Sequence, residues 1–406
     1  MVKQDKTLLL FTGEFPYGKR GEPFLEDEIL YLSNEFDKII VFPRKKETFT
    51  RILPSNVFIQ DNITNIKFRI SKQSLFVIIK SIFPLFNEAL RTKKGYLYLK
   101  QPKHFLFSWI EANILAIRIN TFIKNNKIKN PFFYSYWSDS SLLACARLKN
   151  QGATNTLITR AHGFDLYNNR NFGGLIPFRN FMYKYTNKIY CISQHGQNYL
   201  KLNLPKNLHS KLKLSYLGVI DSSKDSQPSI PEIPIIISVA RMEKFKRIST
   251  IPDVLQEITT PVHWIHFGDG YEYELVKQKI KNLSSNIKVT LMGQKKNQEI
   301  LEFYNQNKIS LFLSLSTSEG LPVSMMEAIS YGIPILSTNI NGVPEIVTKE
   351  TGVLIDVNEN VKEIAKKITK IIEGKMFNSS KIQWFYKNHF NAEYNYSTFA
   401  KELARL

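Results

Sequence analysis

Short apolar segments rich in β-branched residues alternate with longer amphipathic segments along most of the chain. This alternation is typical of parallel β-sheets whose faces are covered by helices, so the pattern predicts an α/β protein. In the first half it predicts strands at residues 7–12, 38–42, 132–136, 156–159, 188–192 and 212–217, and a mainly helical segment at 68–125. In the second half it predicts strands at residues 235–239, 262–267, 287–292, 309–315 and 334–337.

A polar segment separates these two series of strands. Residues 218–234 contain three prolines and show neither helical nor strand periodicity, which is typical of a linker. The pattern therefore predicts two Rossmann-like domains of similar size, at residues 1–220 and 235–378, joined by a linker at 221–234. No short internal repeat indicates a solenoid.

The composition is that of a globular protein large enough for two cores. Of the 406 residues, 43% are hydrophobic and 13% are aromatic. The two cysteines, Cys145 and Cys191, allow at most one disulfide and do not form a zinc-binding pattern. The apolar run at residues 8–11 is too short for a signal-peptide core, and no uncharged apolar run approaches about 18 residues. We therefore expect a cytoplasmic protein without a membrane-spanning segment.

The positive charge is concentrated in the first half of the chain. The net charge is +20, of which residues 1–220 carry +19 and residues 221–406 carry +1. Such an asymmetry indicates an anionic partner for the first half, which could be nucleic acid, an acidic membrane surface or a phosphorylated substrate.

A glycine-containing loop follows the first predicted strand. Residues 13–20 come within one position of the nucleotide P-loop pattern, but Arg20 stands where a Ser or Thr would bind Mg²⁺. Pro16 also lacks an N–H group that such a loop would use to hold phosphate. We therefore expect no P-loop ATPase, although Gly18 and Gly21 could bring the backbone close to a diphosphate. The alternative is an ordinary turn between a strand and a helix.

The strongest chemical signal is a pair of glutamates around a predicted helix start in the second half. Pro322 suits the first turn of a helix, and the backbone amides of residues 321–324 would point free N–H groups at an anion. Glu319 precedes this helix and Glu327 lies on it, so the two carboxylates could bracket a diphosphate that carries hydroxyl groups at both ends. A nucleotide sugar has this shape. The alternative is that Glu319 caps the helix and Glu327 is exposed or paired.

This segment resembles the signature of the retaining glycosyltransferase family 4. In that signature, two glutamates separated by seven residues precede a Gly-x-Pro sequence, as Glu319 and Glu327 precede Gly332-Ile-Pro334. The resemblance covers residues 235–375. Its further matches, in the family's order, are Arg241 with Lys246, the His266-Phe-Gly268-Asp-Gly270 turn, Leu291-Met-Gly293, Gly342-Val-Pro-Glu345 and Thr351-Gly-Val-Leu354.

The resemblance implies a donor site in the second domain. It implies that Arg241 and Lys246 bind the phosphates, that Glu319 orients the sugar and that Glu327 binds the ribose. A diphosphate leaving group needs such cations in any case, because charge develops on it during transfer. The remaining implied donor-binding residues are Gly293, Gly320, Leu321, Pro322 and Val323.

The first domain resembles polysaccharide-assembling members of the same family. Residues 160–165 read Arg-Ala-His-Gly-Phe-Asp and are similar to the family's His-Gly-x-Asp segment, whose histidine faces the donor sugar. This implies a catalytic role for His162 and places Arg160 and Asp165 on the acceptor side. Residues 15–18, 22–26 and 134–139 also resemble these members, so Trp137 and Asp139 would line the acceptor side. Without the resemblance, His162 would more simply be a hydrogen-bonded structural residue and Trp137 a core residue.

The resemblance as a whole implies a GT-B glycosyltransferase, with two Rossmann-like domains facing each other across a cleft. It implies retention of the anomeric configuration and final helices, at residues 379–406, that cross back to the first domain. No Asp-x-Asp occurs in the chain, and His263 and His266 lie on opposite faces of a predicted strand, so we expect no metal ion or other cofactor. The alternatives are a nucleotide-sugar epimerase of the same fold and, from another class, a basic nucleic-acid-binding protein, for which no motif is present.

The expected partners are a nucleotide-sugar donor and a glycan or lipid-linked acceptor in bacterial-type surface polysaccharide biosynthesis. Residues 61–130 carry 13 basic and 3 acidic residues among apolar ones. Apolar and cationic side chains of residues 75–94 could separate onto two faces of a helix lying on an anionic membrane. This predicts a cytoplasmic enzyme bound peripherally to the inner face of the cell membrane and no nucleic-acid partner. The alternative is a helix whose apolar residues are core and whose lysines are solvated.

Overall fold

A computed structural model describes residues 6–18, 22–61, 63, 88, 90, 95–223, 228–374 and 376–406. The chain forms two compact units. The first unit comprises Met1–Tyr216 together with Glu393–Leu406, and the second comprises Leu217–Ala392. The segment at 221–234, predicted as a linker, is therefore part of the second unit.

The first unit is built on a parallel sheet of seven strands. In chain order these are β1 (Thr7–Thr12), β2 (Lys38–Pro43), β3 (Val57–Ile59), β4 (Phe132–Ser135), β5 (Thr156–Ala161), β6 (Lys188–Cys191) and β7 (Leu212–Leu214). Their order in the sheet is β3-β2-β1-β4-β5-β6-β7. The six predicted strands are present, and β3 was missed because its three residues include exposed Phe58.

Helices cover both faces of this sheet. They are α1 (Phe24–Glu35), α2 (Tyr96–Lys100), α3 (Pro102–Asn125), α4 (Ser140–Asn150), α5 (Arg179–Tyr185) and α6 (Gln194–Asn203). Successive residues of β1 point to opposite faces, so Leu9 packs in the core under α3 and α4 while Leu10 packs in the core under α1. The predicted helical segment at 68–125 is helical in α2 and α3, and most of residues 62–94 lie outside the described part of the chain.

The second unit has a parallel sheet of six strands. They are β8 (Ile235–Val239), β9 (Val262–Phe267), β10 (Ile287–Leu291), β11 (Leu311–Ser314), β12 (Ile335–Thr338) and β13 (Gly352–Ile355), in the order β10-β9-β8-β11-β12-β13. The five predicted strands are present and β13 was missed. The helices are α7 (Ile251–Leu255), α8 (Tyr273–Ile280), α9 (Asn297–Gln306), α10 (Val323–Ser330), α11 (Val361–Glu373) and α12 (Ser379–His389).

A last helix, α13 (Ala392–Ala404), completes the core of the first unit rather than the second. Its residues Phe399, Ala400 and Leu403 are buried with Leu8 of β1 and Tyr134 of β4. The sequence placed the return to the first domain at residue 379. The structure places it at Glu393 instead, because α12 packs against α10 within the second unit.

Two segments at the boundary of the second unit are hydrogen-bonded to each other. The Val219 amide donates to the Phe390 carbonyl at 3.0 Å, and the Ala392 amide donates to the Val219 carbonyl at 3.1 Å. A Cβ atom at Gly218 would lie only 2.5 Å from Ala392 Cα, so this close approach requires glycine. The first and last segments of the second unit are thus held together.

Helix α3 tests the expectation that no segment spans a membrane. An 18-residue stretch of this 24-residue helix has a mean hydropathy of 1.2, so the helix is long and apolar enough to cross a membrane by length and composition. However, one face of α3, including Phe105, Trp109 and Ile119, packs in the core of the first unit. This is the arrangement of a long core helix. Cys145 and Cys191 are also buried there, and neither forms a disulfide.

Candidate active site

The loop after β8 carries two of the predicted phosphate-binding residues. It lies against the turn that follows β9, where the amides of Ala240 and Met242 donate to the carbonyls of Phe267 and Asp269 at 3.1 and 2.9 Å. Gly268, with φ of +144°, makes this approach possible, since a Cβ atom there would come within 1.8 Å of the Ala240 carbonyl oxygen. The predicted His-Phe-Gly-Asp-Gly motif therefore fixes the shape of the loop.

Lys246 and Glu319 form an ion pair at the centre of this region. Lys246 Nζ donates to Glu319 Oε1 at 2.6 Å and to Oε2 at 2.9 Å. The two side chains are only 21% and 11% exposed, so the pair is largely withdrawn from water. The structure thus brings together a cation predicted to bind phosphate and a carboxylate predicted to bind the sugar, although they are 73 positions apart in sequence.

The segment after Glu319 leads into α10 and is fixed by its neighbours. Asn341 Nδ2 donates to the Glu319 carbonyl at 2.6 Å, and the Gly342 amide donates to the Gly320 carbonyl at 3.2 Å. Helix α10 begins at Val323, directly after Pro322, which has an extended backbone and provides no side-chain cap. The first N–H groups of a helix lack partners within it, so this end of α10 can accept an anion.

The other predicted donor residues differ in their exposure. The Arg241 side chain is 67% exposed, and its Nη1 lies 3.8 Å from Glu243. Glu327 is buried on α10. Burial raises the pKa of the Tyr304 phenol well above its usual value, and the negative charge of nearby Glu327 raises this pKa further. Gly293 has φ of +63°, and its carbonyl accepts from the Gly268 amide at 2.9 Å. Gly293 therefore contacts the turn that shapes the Arg241 loop.

In the first unit, His162 lies in an aromatic cage at the end of β5. Its ring centroid is 4.4 Å from that of Trp137, 4.7 Å from Tyr136 and 6.3 Å from Phe24. His162 Nδ1 lies 3.4 Å from Asp165 Oδ2, whereas Nε2 is buried and has no hydrogen-bond partner. The cage fixes the ring, and the unpartnered Nε2 is the atom that could meet a substrate.

Asp165 fixes the backbone around His162. Its Oδ1 accepts from the amides of His162 and Gly163 at 2.8 and 3.1 Å, and its Oδ2 accepts from the Ser138 amide at 3.0 Å. Because this carboxylate is already surrounded by backbone donors, Asp165 positions the histidine loop.

In the described part of the glycine-containing loop after β1, residues 13–18, the backbone amides are not free for a diphosphate, and this corrects the prediction for Gly18. The carboxylate of Glu22 accepts from the amides of Gly13, Glu14 and Phe15 at 2.6, 2.8 and 2.7 Å. The Gly18 amide donates instead to the Phe49 carbonyl at 3.0 Å. An internal carboxylate therefore occupies the position that an anion would take, and Gly21 lies outside the described residues.

Glu22 also connects this loop to the histidine. Its Oε1 accepts a hydrogen bond from the indole Nε1 of Trp137, the ring that packs most closely on His162. The sequence indicated only that residues 22–26 would line the acceptor side. Nothing in a sequence pattern shows that a glutamate will fold back onto the loop before it, so this role was missed.

Two further residues predicted for the acceptor side have structural roles, which corrects those assignments. Arg160 is fully buried on the face of the sheet opposite Ala161, where it lies 3.2 Å from Glu28 and donates to the Tyr134 hydroxyl at 3.0 Å. Arg160 lies within β5, and alternation along the strand places its side chain in the core on the face opposite that of Ala161. Asp139 caps α4 by accepting from the Ser141 amide at 2.8 Å and forms an ion pair with Arg44 at 2.7 Å.

Within the described ranges, no group of three or more His, Cys, Asp or Glu side chains could hold a metal ion. His263 Nε2 lies 2.8 Å from the Thr290 hydroxyl, and His266 Nδ1 lies 2.7 Å from the Ser238 hydroxyl. Burial lowers the pKa of His266 to about 4, so this imidazole is neutral at physiological pH. The side chains of both histidines therefore form hydrogen bonds to neighbouring strands of the second sheet.

The model of the family described as "Glycosyl transferases group 1" matches residues 219–386. This range contains the Arg241 loop, the Lys246–Glu319 pair and helix α10. The chain carries a group 1 glycosyltransferase domain. Its fold class, two Rossmann-like α/β units of the GT-B type, is confirmed by solved structures of similar fold.

Curated relatives of this chain are similar over part of their length. The chain is 29% identical over 153 residues to N-acetyl-alpha-D-glucosaminyl L-malate synthase of Bacillus anthracis, covering 37% of this chain and 36% of the relative. It is 27% identical over 155 residues to the O-antigen biosynthesis glycosyltransferase WbnH of Escherichia coli, covering 36% and 42%. It is 25% identical to the putative colanic acid biosynthesis glycosyltransferase WcaL of Escherichia coli, covering 57% and 60%. The chain thus spans less than two thirds of the length of each of these relatives.

Solved structures resemble the whole chain. Anabaena Alr3699/HepE in complex with UDP superimposes with a TM-score of 0.68 and 16% sequence identity, covering 99% of this chain and all of that one. The apo lipopolysaccharide outer core galactosyltransferase WaaB gives a TM-score of 0.66 at 14% identity with the same coverage. At these identities the likeness establishes the fold of both units.

Proposed function

We propose that this glycosyltransferase transfers a sugar from a nucleotide-sugar donor to a glycan or lipid-linked acceptor in surface polysaccharide biosynthesis. The observation that carries the proposal is the Lys246–Glu319 ion pair, placed between the Arg241 loop and the open end of α10. A cation, a carboxylate and free amides together provide what a diphosphate bearing a sugar requires. Relatives named for O-antigen and colanic acid biosynthesis support the pathway.

The donor diphosphate competes with Glu319 for Lys246. When a nucleotide sugar binds, Lys246 and Arg241 neutralise the phosphates, and the Glu319 carboxylate becomes available to hydrogen-bond the sugar hydroxyls. Glu327, further along α10, binds the ribose in this proposal. The ion pair thus keeps two buried charges compensated until the donor replaces the contact.

The proposed transfer retains the anomeric configuration and needs no metal ion. The bond between the anomeric carbon and the phosphate oxygen breaks, and the acceptor oxygen forms a new bond on the same face. The acceptor proton passes to the leaving phosphate, whose negative charge is stabilised by Arg241, Lys246 and the start of α10. These groups take the role that Mg²⁺ has in other transferases. His162 Nε2 hydrogen-bonds the reacting sugar in this scheme.

The experiment that tests the donor site compares Glu319→Gln with the exposed control Glu363→Gln. Glu319→Gln keeps the size of the side chain but removes the charge that pairs with Lys246. We expect it to lower sugar transfer by about 100-fold or more, because a preorganised contact to the reacting sugar is lost. Nucleotide release with UDP-sugars and GDP-sugars measures the effect, and NMR of the product reports its anomeric configuration. Equal activity of the two variants would contradict the proposal.

We also propose that the enzyme binds peripherally to the cytoplasmic face of an anionic membrane. The net charge of +19 on residues 1–220 supports this proposal. Lys80, Arg91, Lys93 and Lys94, on which the prediction was based, lie outside the described residues. Flotation with anionic and neutral vesicles tests it. Binding should appear only with anionic vesicles, fall as salt is added and weaken when these four residues are changed to Glu. Equal behaviour with both kinds of vesicle would refute it.

A further inference from the structure

An exposed aromatic side chain stands beside the cage of His162. Phe164 is 48% exposed, although it follows a buried strand by only three residues. Its ring packs on that of Trp137 with a centroid distance of 4.8 Å, and Trp137 packs in turn on His162 at 4.4 Å. The carboxyl ends of parallel strands are where ligands bind in open α/β sheets. Phe164 and Trp137 therefore form an aromatic surface next to the proposed reacting residue.

The backbone that carries Phe164 is fixed. Its carbonyl accepts from the side-chain amide of Asn171, which also donates to the Tyr167 carbonyl at 3.0 Å. The preceding residue, Gly163, donates its amide to buried Asp165 at 3.1 Å. An exposed ring on a backbone held at both sides is preorganised, and this reduces the entropy cost of binding a ligand.

A cation lies at the same place. Arg170 ends the short 3₁₀ helix Asn168–Arg170, and its guanidinium covers Gly163, since a Cβ atom on that glycine would come within 2.5 Å of Arg170 Nη1. The guanidinium carbon also lies over the ring of Tyr167, 5.4 Å from its centroid. Gly163 separates His162 from Phe164 in the chain. The positive charge of Arg170 therefore lies over the backbone between the histidine and the exposed ring.

We propose that Phe164, Trp137 and Arg170 form an acceptor subsite for a sugar that carries an anionic group. The inference rests on the proposed transferase function and deepens it by naming the acceptor class. The C–H face of the sugar stacks on the Phe164 ring, and a phosphate or carboxylate of the same sugar unit pairs with Arg170. The large positive charge of the first unit complements such an acceptor.

Three small probes that share one hexose test the subsite. They are a neutral methyl hexoside, the corresponding methyl hexuronide and a hexose 1-phosphate methyl diester. Their dissociation constants are measured by calorimetry on the full chain. We expect at least one of the two anionic probes to bind more tightly than the neutral probe, by about tenfold or more. The reason is that a charge-assisted hydrogen bond is worth about 1.5–3 kcal/mol. Which anionic probe binds identifies a phosphate or a uronic acid as the recognised group.

Two variants separate the aromatic from the ionic contact. Phe164→Ala should weaken binding of all three probes by about threefold to tenfold, because the stacking surface is lost. Arg170→Gln should weaken only the anionic probes, bringing them to the affinity of the neutral one, and Arg170→Lys should restore part of the difference. A loss of neutral and anionic binding alike in Arg170→Gln would indicate a structural role and overturn the assignment.

A matched control lies elsewhere on the same sheet, on its edge strand β3. Phe58 is 50% exposed and Lys38 Nζ lies 5.1 Å from its ring, at the amino end of β2. Phe58→Ala and Lys38→Gln should leave all three affinities unchanged, whereas equal effects there would overturn the inference. Failure of all three probes to bind the wild-type chain would also overturn it. Binding of nucleotide sugars to the same samples is measured separately, and its absence would count against the proposed function instead.

Discussion

The two units have the same construction but use their polar residues differently. In the first unit, several side chains that the sequence suggested for chemistry are bound internally, as Arg160 is to Glu28 and Asp139 is to Arg44. In the second unit, Arg241 is 67% exposed, and the Lys246–Glu319 pair sits at an open helix end. Similar residue types at the ends of similar strands thus serve stability in one unit and the proposed chemistry in the other.

The units also differ in charge. The first unit carries 35 basic and 16 acidic residues, whereas the second carries 20 and 19. The second unit, which carries the proposed donor site, is therefore almost neutral overall. The proposed binding of a nucleotide sugar depends on a few cations in the right place, whereas the excess charge of the first unit acts over a larger surface.

The sharpest test of this comparison is the removal of a buried arginine from the first unit. Arg160→Ala leaves Glu28 charged and uncompensated in the core, so we expect the free energy of unfolding of that unit to fall by about 3–5 kcal/mol. Hydrogen exchange of β5 during urea unfolding measures the loss. The exposed control Arg405→Ala should change stability by about 0.5 kcal/mol or less. If Arg160→Ala cost no more than the control, the structural assignment of Arg160 would be wrong.

A second test measures how the stability of the second unit depends on pH. The pKa of His266 is about 4 in the folded protein, below its ordinary value of 6.5, so the unfolded chain binds a proton more readily. The neutral form of His266 therefore stabilises the folded protein. Its contribution to the free energy of unfolding is complete above about pH 6.5 and is lost as pH falls towards 4, by about 3 kcal/mol in total. His266→Gln should flatten the dependence of unfolding on pH in that interval. An unchanged slope would show that another group causes it.

Exposed Arg241 should show the reverse of Arg160. Arg241→Ala should leave stability within about 0.5 kcal/mol of the wild type but weaken nucleotide-diphosphate binding by about 1.5–3 kcal/mol, because a charge-assisted contact is lost. Thermal unfolding and calorimetric titration with UDP and GDP give the two numbers on one sample. The comparison between units would fail if the variant were less stable yet bound nucleotide normally.

The smallest expected effect is that of removing divalent metal ions. Because Arg241, Lys246 and the start of α10 are proposed to neutralise the leaving diphosphate, excess EDTA should leave the rate of sugar transfer unchanged. Addition of Mg²⁺ or Mn²⁺ to the dialysed enzyme provides the control. If EDTA stopped turnover and Mn²⁺ restored it, the phosphate site would need a metal ion that this proposal leaves out.

The sequence predicted the sheets well because their strands are buried runs with clear ends. Eleven of the thirteen strands were predicted, whereas β3 and β13 are short and only partly buried. The Arg241 loop and the Glu319 segment could be predicted because each lies within one stretch between a strand and a helix. The pairing of Lys246 with Glu319 could not be predicted, since it depends on the contact between the loops that follow β8 and β11.

The first unit shows where sequence reasoning fails. Arg160 stands two positions before His162 in a single motif, yet Arg160 lies within β5 and is bound to buried Glu28, whereas His162 lies beyond the end of the strand. Glu22 reads as one of several acidic residues near α1, and its bonds to three loop amides follow only from the path of the chain. The structure therefore separated residues that the motif had grouped.

Helix α13 has a consequence for how the protein is made. Phe399 and Leu403 share a core with Leu8 and Tyr134, so the unit whose strands are translated first lacks part of its interior until residue 403 has left the ribosome. At about 5–20 residues per second, roughly 20 to 80 s separate the synthesis of β1 from that of α13. During this time the apolar face that receives Phe399 is open to water, so chaperone binding to the nascent chain should be strongest at this face.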